Sequence, residues 1–174
     1  MRNLLILIFF FLNLKPTFAE NNIVYLDVQY IIDTSELGIF YKKKIQILQD
    51  DIKSTLLKKE TIIKKKENSI NDKKNVLDKD EINKQIKELN NLLNEYKIQR
   101  NKLNQNIVDT KKKYTGEILN ILNPLVTSYV DDNNINIVIE KKNVLVGIKS
   151  LDITTNILKK FNERVKKKNL INEN

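Results

Sequence analysis

Apolar residues in this 174-residue chain fall into three kinds of spacing, and each kind marks a different part. Leu4 to Leu12 is one unbroken apolar run. Ile23–Val28, Ile135–Ile139 and Val144–Ile148 are short clusters rich in β-branched residues, as strands require. Between the first and second clusters, apolar side chains recur at steps of three, four and seven, the spacing of a helix face.

The middle segment carries the clearest signal. From Ile39 to Thr115 there are 77 residues without Gly or Pro, which predicts helix throughout. In its second half Ile82, Ile86, Leu89, Leu93 and Tyr96 alternate by four and three, continuing through Leu103, Ile107 and Tyr114 as a coiled-coil-type seam. The first half is looser. Ile45, Leu48 and Ile52 begin one stripe, Leu56, Ile63, Ile70 and Leu77 follow a shifted one, and Lys59 and Lys66 stand where the first stripe needs apolar residues. A reversal is expected near Asn71–Asp80, where Asp78 followed by Glu81 resembles a capping box and Asp80 is a second candidate cap. Two arms result, Glu36–Asn71 and Lys79–Tyr114, each about 50 Å long. An antiparallel hairpin suits their equal length; one continuous helix is the competing arrangement.

After the arms, Ile118–Val130 reads as a helix that Pro124 kinks or restarts, and Asp131–Asn134 supplies a turn. Ile137–Ile139 and Val144–Val146 form an expected strand pair. Asp152 or Thr154 caps a last helix with the stripe Ile157, Leu158, Phe161 and Val165, and Lys166–Asn174 is expected to fray. The expected fold is therefore α+β: a long helical hairpin, residues 36–114, inserted between the short strands of a small β head, residues 20–35 and 115–165. Three strands and short helices bury little, and small cores need reinforcement. Self-association is the expected route.

Composition narrows the chemistry. With no Cys and no His, disulfides, thiol catalysis, Cys/His zinc sites and histidine acid–base chemistry are excluded. Asp27 and Asp152 are explained by strand-end and capping roles, Tyr25, Tyr30, Phe40 and Tyr41 by packing. No enzymatic activity, cofactor or metal is expected. Gly116 stands where arm meets head, as a hinge or as a tolerated helix glycine. Arg2, the apolar run, and Thr17 and Ala19 before Glu20 have the layout of a secretory signal peptide cut between Ala19 and Glu20, so export is expected. The run is too short to span a bilayer. Charge is concentrated: Lys42 to Lys113 holds 20 Lys/Arg against 11 Asp/Glu, a net of +9, while the rest of the exported chain is slightly acidic.

Several segments, taken in order, resemble the Skp/OmpH family of periplasmic chaperones. They are Ile23-Val24-Tyr25-Leu26-Asp27-Val28-Gln29 with Ser35 after it, Ile121-Leu122-Asn123-Pro124-Leu125, and Ile137-Val138-Ile139 with Val144-Leu145-Val146. Asp152-Ile153-Thr154, Ile157-Leu158 and Phe161-Asn162 complete the series. Asn133-Asn134 replace a frequent Gly, and Ser128 and Tyr129 replace small residues. Asn tolerates the left-handed conformation, so the turn is expected to survive.

The resemblance implies a homotrimer with a nine-stranded barrel and three helical tentacles around a cavity. Its core would use Ile23, Val24, Tyr25, Leu26, Val28, Ile137, Val138, Ile139, Val144, Leu145 and Val146. It also implies a periplasmic, ATP-independent holdase that binds unfolded outer-membrane β-barrel proteins. Diffuse client contacts are expected at Lys64, Lys65, Lys66, Lys73, Lys74, Ile63, Ile70 and Leu77. Basic arms also suit anionic membrane lipids or lipopolysaccharide. A structural coiled-coil protein of the envelope is the alternative, against which the polar seam from Thr55 to Lys66 argues. No specific nucleic-acid partner is expected, since the arms lack an aromatic stacking surface.

Overall fold

The computed structural model describes residues 22–171 except residue 75. The expected signal segment, with its cut between Ala19 and Glu20, lies outside the described residues. Strand β1 (Ile23–Leu26) leads into a short helix α1 (Val28–Thr34) and then a long helix α2 (Glu36–Lys73). Helix α3 (Lys79–Asp132) returns, followed by strand β2 (Ile137–Glu140), two single 3-10 turns (Lys141–Asn143 and Lys149–Leu151) and helix α4 (Thr154–Lys167). β1 and β2 pair in parallel, Ile23 opposite Ile137 and Leu26 opposite Glu140. The chain ends thus meet in one small sheet, and α2 and α3 leave it together.

The hairpin turn falls within the predicted window. Asp78 caps α3, its carboxylate accepting the Glu81 backbone N–H at 2.8 Å. α3 does not stop at the arm's base; it runs through Pro124 into the head as one 54-residue helix. The carbonyl that Pro124 leaves without an N–H partner belongs to Asn120, on an exposed stretch where water can serve it. At the far end Asn134 takes the left-handed conformation (φ 51°), as the turn chemistry predicts.

Two strand expectations are corrected. Val28 is not the end of β1 but the first residue of α1, because the Asp27 carboxylate accepts the Tyr30 N–H at 2.8 Å and starts a helix there. Val144-Leu145-Val146 form no strand with Ile137–Ile139. β2 pairs with β1 instead, and no backbone partner within the described residues extends the sheet to residues 144–148.

The core lies in the head. Ile157, Phe161 and Val165 line one face of α4 and are fully buried against Leu26, Ile31, Leu37, Ile118 and Leu122. The corner between α1 and α2 is tightly specified. Ser35 is buried, its hydroxyl accepting the Gly38 N–H at 3.1 Å. The Glu36 N–H is taken by the Asn162 side-chain oxygen at 3.0 Å, and Lys166 pairs with Glu36 at 2.8 Å, so α4 ties down the start of the arm. Lys166 therefore belongs to the folded head, and Ile171 beyond it still packs on the core.

Gly38 and Gly116 are opposites. A Cβ at Gly38 would stand 1.9 Å from the Ile32 carbonyl oxygen, whereas one at Gly116 would meet nothing within 4 Å. Gly38→Ala is expected to destabilise the chain by on the order of 3 kcal/mol, the upper range for overpacking. Gly116→Ala is expected to stabilise it by about 0.5–1 kcal/mol through helix propensity. Chemical denaturation of the two variants beside the parent checks both signs.

Candidate functional surfaces

Two surfaces stand out, one on the arm and one on the head. On the arm, α2 and α3 lie antiparallel, with Lys66 paired to Glu88 at 2.8 Å and the Tyr96 hydroxyl donating to the Glu60 carboxylate. Lys66 holds the Glu88 carboxyl below its ordinary range, and the bond to Glu60 raises the Tyr96 hydroxyl above its own. Ile52 and Ile63 are buried, and Ile45, Leu48, Leu56, Lys59, Lys66 and Ile70 are half-buried. Lys59 and Lys66 thus occupy seam positions, as the interrupted stripe implied. On α3 the expected seam positions Ile82, Leu89, Tyr96, Leu103, Ile107 and Tyr114 are half-buried, and the seam departs from expectation at two places. Gln85 and Leu92 are half-buried, while Ile86 and Leu93 stand exposed on its shoulder. The four-three alternation fits either choice there, and facing α2 side chains select one.

The predicted client-facing residues separate accordingly. Lys64, Lys65, Lys73 and Lys74 are exposed. Lys66, Ile70 and Leu77 are half-buried. Ile63 is only 8% exposed, so its side chain serves the hairpin's own seam and not an open surface. Besides Ile86 and Leu93, the apolar residues that face outward on the arm include several that the sequence pattern passed over: Ile47, Leu57, Ile62, Ile98, Val108 and, at the tip, Val76. Where the arm meets the head, Tyr41 and Tyr114 stack face to face with centroids 4.0 Å apart. The Tyr41 hydroxyl donates to the Glu117 carboxylate. Burial, then that bond, push the hydroxyl well above its ordinary range.

On the head, Val24, Tyr25 and Leu26 are buried within their own chain, and Val28, Val138, Ile139 and Val144 are half-buried. Ile23 and Ile137 at the start of the sheet are exposed, and Leu145 and Val146 almost completely so, at 98% and 89%. Ile148, outside the predicted set, is exposed too. A fixed base presents this apolar loop. The Tyr25 hydroxyl donates to the Ile148 carbonyl at 3.0 Å, and Gly147 lies so close to the Tyr25 ring that a Cβ would come within 2.8 Å of it. Beside β2 an open groove of about 420 Å³ is lined by Leu26, Val28, Leu122, Val126 and Val138.

Asp152 closes the loop. Its carboxylate accepts the Thr154 N–H at 3.0 Å and the Lys141 ammonium at 2.9 Å, while the Thr154 hydroxyl accepts the Asp27 N–H at 2.9 Å. The Asp-Ile-Thr triplet therefore joins β1, the loop and α4; it is a structural knot that accounts for the Asp152 carboxylate, while the Asp27 carboxylate caps α1. Among the described residues no acidic cluster suited to a metal is present. No described helix is long and apolar enough to cross a membrane.

With this geometry in place, the chain can be compared with known proteins. The profile of the family described as outer membrane protein (OmpH-like) matches residues 22–161. The chain belongs to the OmpH-like family. The match spans head and arm together, so the whole described architecture, and not one module, carries it. The fold is also similar to the crystal structure of an OmpH-like protein from Caulobacter crescentus, named as a candidate outer membrane chaperone. The two are 14% identical with a TM-score of 0.76, over 88% of this chain and 92% of that one. No curated protein sequence matches.

The OmpH-like head predicts an acid response. Burial alone would raise the Asp152 carboxyl, but its bonds to Thr154 and Lys141 outweigh burial and hold it below the ordinary range. A depressed carboxyl stabilises the fold above its unfolded value, and that contribution is lost as pH falls through the native value. The loop's share of stability is thus expected to disappear below about pH 4. Asp152→Asn is expected to be less stable than the parent at neutral pH and to lose less on acidification. Thermal melts of both proteins from neutral to acid pH measure the two slopes.

Proposed function

We propose that this OmpH-like chain is an ATP-independent holdase chaperone. It acts in the periplasm after export and keeps unfolded outer-membrane β-barrel proteins from aggregating before insertion. The observation that carries this reading is the division of the chain into two unlike parts. A small head buries its core yet leaves Leu145, Val146, Ile23 and Ile137 exposed. A long two-helix arm holds a net +9 and buries little beyond Ile52 and Ile63.

Each part has a physical use. Exposed apolar residues on a rigid loop, next to an open groove and the outer edge of β2, which pairs with no further strand among the described residues, suit contact with other copies of the head. A homotrimer with a barrel-like base and three arms is the assembly that family resemblance favours. The arms' shared positive sign keeps them apart and draws in acidic chains or anionic lipid surfaces such as lipopolysaccharide. Many weak contacts inside such an enclosure hold a client without folding it, because copies of one arm act together. The polar seam, with lysines at 59 and 66, distinguishes this device from a purely structural coiled coil, which would keep its seam apolar.

Light scattering of a denatured outer-membrane barrel protein, diluted with and without the exported chain, tests the function. Scattering is expected to be suppressed without ATP, and less so as salt screens the arms. No suppression at any salt would refute the reading. Analytical ultracentrifugation tests the assembly. The parent is expected to sediment as a trimer and a Leu145→Asp/Val146→Asp double variant as a folded monomer, whereas a monomeric parent would contradict it.

A further inference from the structure

Lysine at a seam position leaves space that a Leu or Ile would fill. Lys66 spans its gap by reaching Glu88, but the seam around Lys59 stays open. Between α2 and α3 lies a groove of about 560 Å³ lined by Lys59, Glu95, Ile98, Gln99, Lys102 and Leu103. Ile98 is 69% exposed. Ile62, also exposed, stands three residues on from Lys59 and so shares its face of α2. The groove therefore has an apolar lining from Ile98 and Leu103, with Ile62 farther along the same face of α2. The methylene stem of Lys59 adds to it while the ammonium stays near water. Two ammonium groups, Lys59 and Lys102, face one carboxylate, Glu95.

We propose that this groove is a client-binding site, taking an extended segment of unfolded polypeptide that places an apolar side chain against Ile98 and Leu103 and a neighbouring Asp or Glu near Lys59 and Lys102. This deepens the holdase reading and rests on it. Charge complementarity selects the occupant: the groove and the surrounding arm are both net positive, so a second arm of this chain is repelled and an acidic-apolar segment is attracted. Being open, the groove desolvates little and holds each segment weakly. One groove on every copy makes the total useful without trapping the client.

The test uses the full exported chain and a fluorescently labelled, denatured outer-membrane barrel protein. Ile98→Asp is expected to weaken client binding about tenfold, the scale set by burying one aliphatic side chain. Lys59→Leu puts an apolar side chain in the seam and removes one of the groove's two cations, so it is expected to raise the unfolding midpoint while weakening client binding, a pairing that misfolding cannot produce. Glu163→Gln, on the exposed side of α4 in the head and remote from the groove, is expected to bind as the parent does. If the parent binds the client and both groove variants bind it equally well, the groove proposal is overturned and the holdase reading stands. If the parent does not bind, both fall. Altered sedimentation of Ile98→Asp without a change in client binding would assign the groove to another copy and also overturn the proposal.

Discussion

Everything outside the head depends on the parallel pairing of β1 with β2. Ile23 lies opposite Ile137, so the chain between them must leave the head and come back to the same edge. A gapless stretch of helix formers can do this only as two long helices joined by a short turn, and Asp78 fixes where the turn ends. The pairing is reinforced from outside the sheet. Thr154 and Asp152 bind the end of β1 to the start of α4, and Asn162 and Lys166 bind α4 to the start of α2. Residues far apart in sequence thus fix the base of the arm, and Gly38 is the close approach that lets them do so.

The consequence is a contrast in how firmly the two halves are held. The head has a dry core of Phe161, Ile157, Val165, Ile118 and Leu122, and its polar groups are matched; no buried side-chain nitrogen or oxygen among the described residues lacks a partner. The arm has a narrow seam mixed with Lys59, Lys66, Gln85 and Gln99, supported by exposed polar pairs of small individual weight. Local openings need less free energy where fewer apolar groups are buried. The proposed holdase, which would have to admit and release an unfolded chain, gains from such an arm, provided its base does not move. The Tyr41–Tyr114 stack and the Tyr41–Glu117 bond supply that fixed base, and the glycine nearby is not needed for packing.

Much of this was legible in the sequence because the signals are local. A 77-residue run without Gly or Pro, the Asp78–Glu81 pair and the Asn133-Asn134 turn each act within one or two helical turns, and all appear in the structure. The misses are tertiary. Ile86 and Leu93 fit a four-three alternation, yet the packing of α2 chose Gln85 and Leu92 one step earlier. Val144–Ile148 has strand composition, but β2 had already paired with β1, leaving that segment as an exposed loop. Ile63 lay beside the basic triplet it was grouped with, while its side chain turned into the seam. Gly38 carried no signal of its own in the sequence; its role comes from a carbonyl six residues away that curls back at the Ser35 corner.

The proposed assembly requires a fixed base that holds basic arms apart around an open space. Pulsed electron-spin distance measurements between labels at position 76, one on each arm tip of the assembled protein, address this directly. A broad distribution of long distances is expected, narrowing but not reaching contact when an unfolded client is added. A single sharp distance at contact range, unchanged by client, would mean that the arms bundle with one another and leave no space to enclose anything.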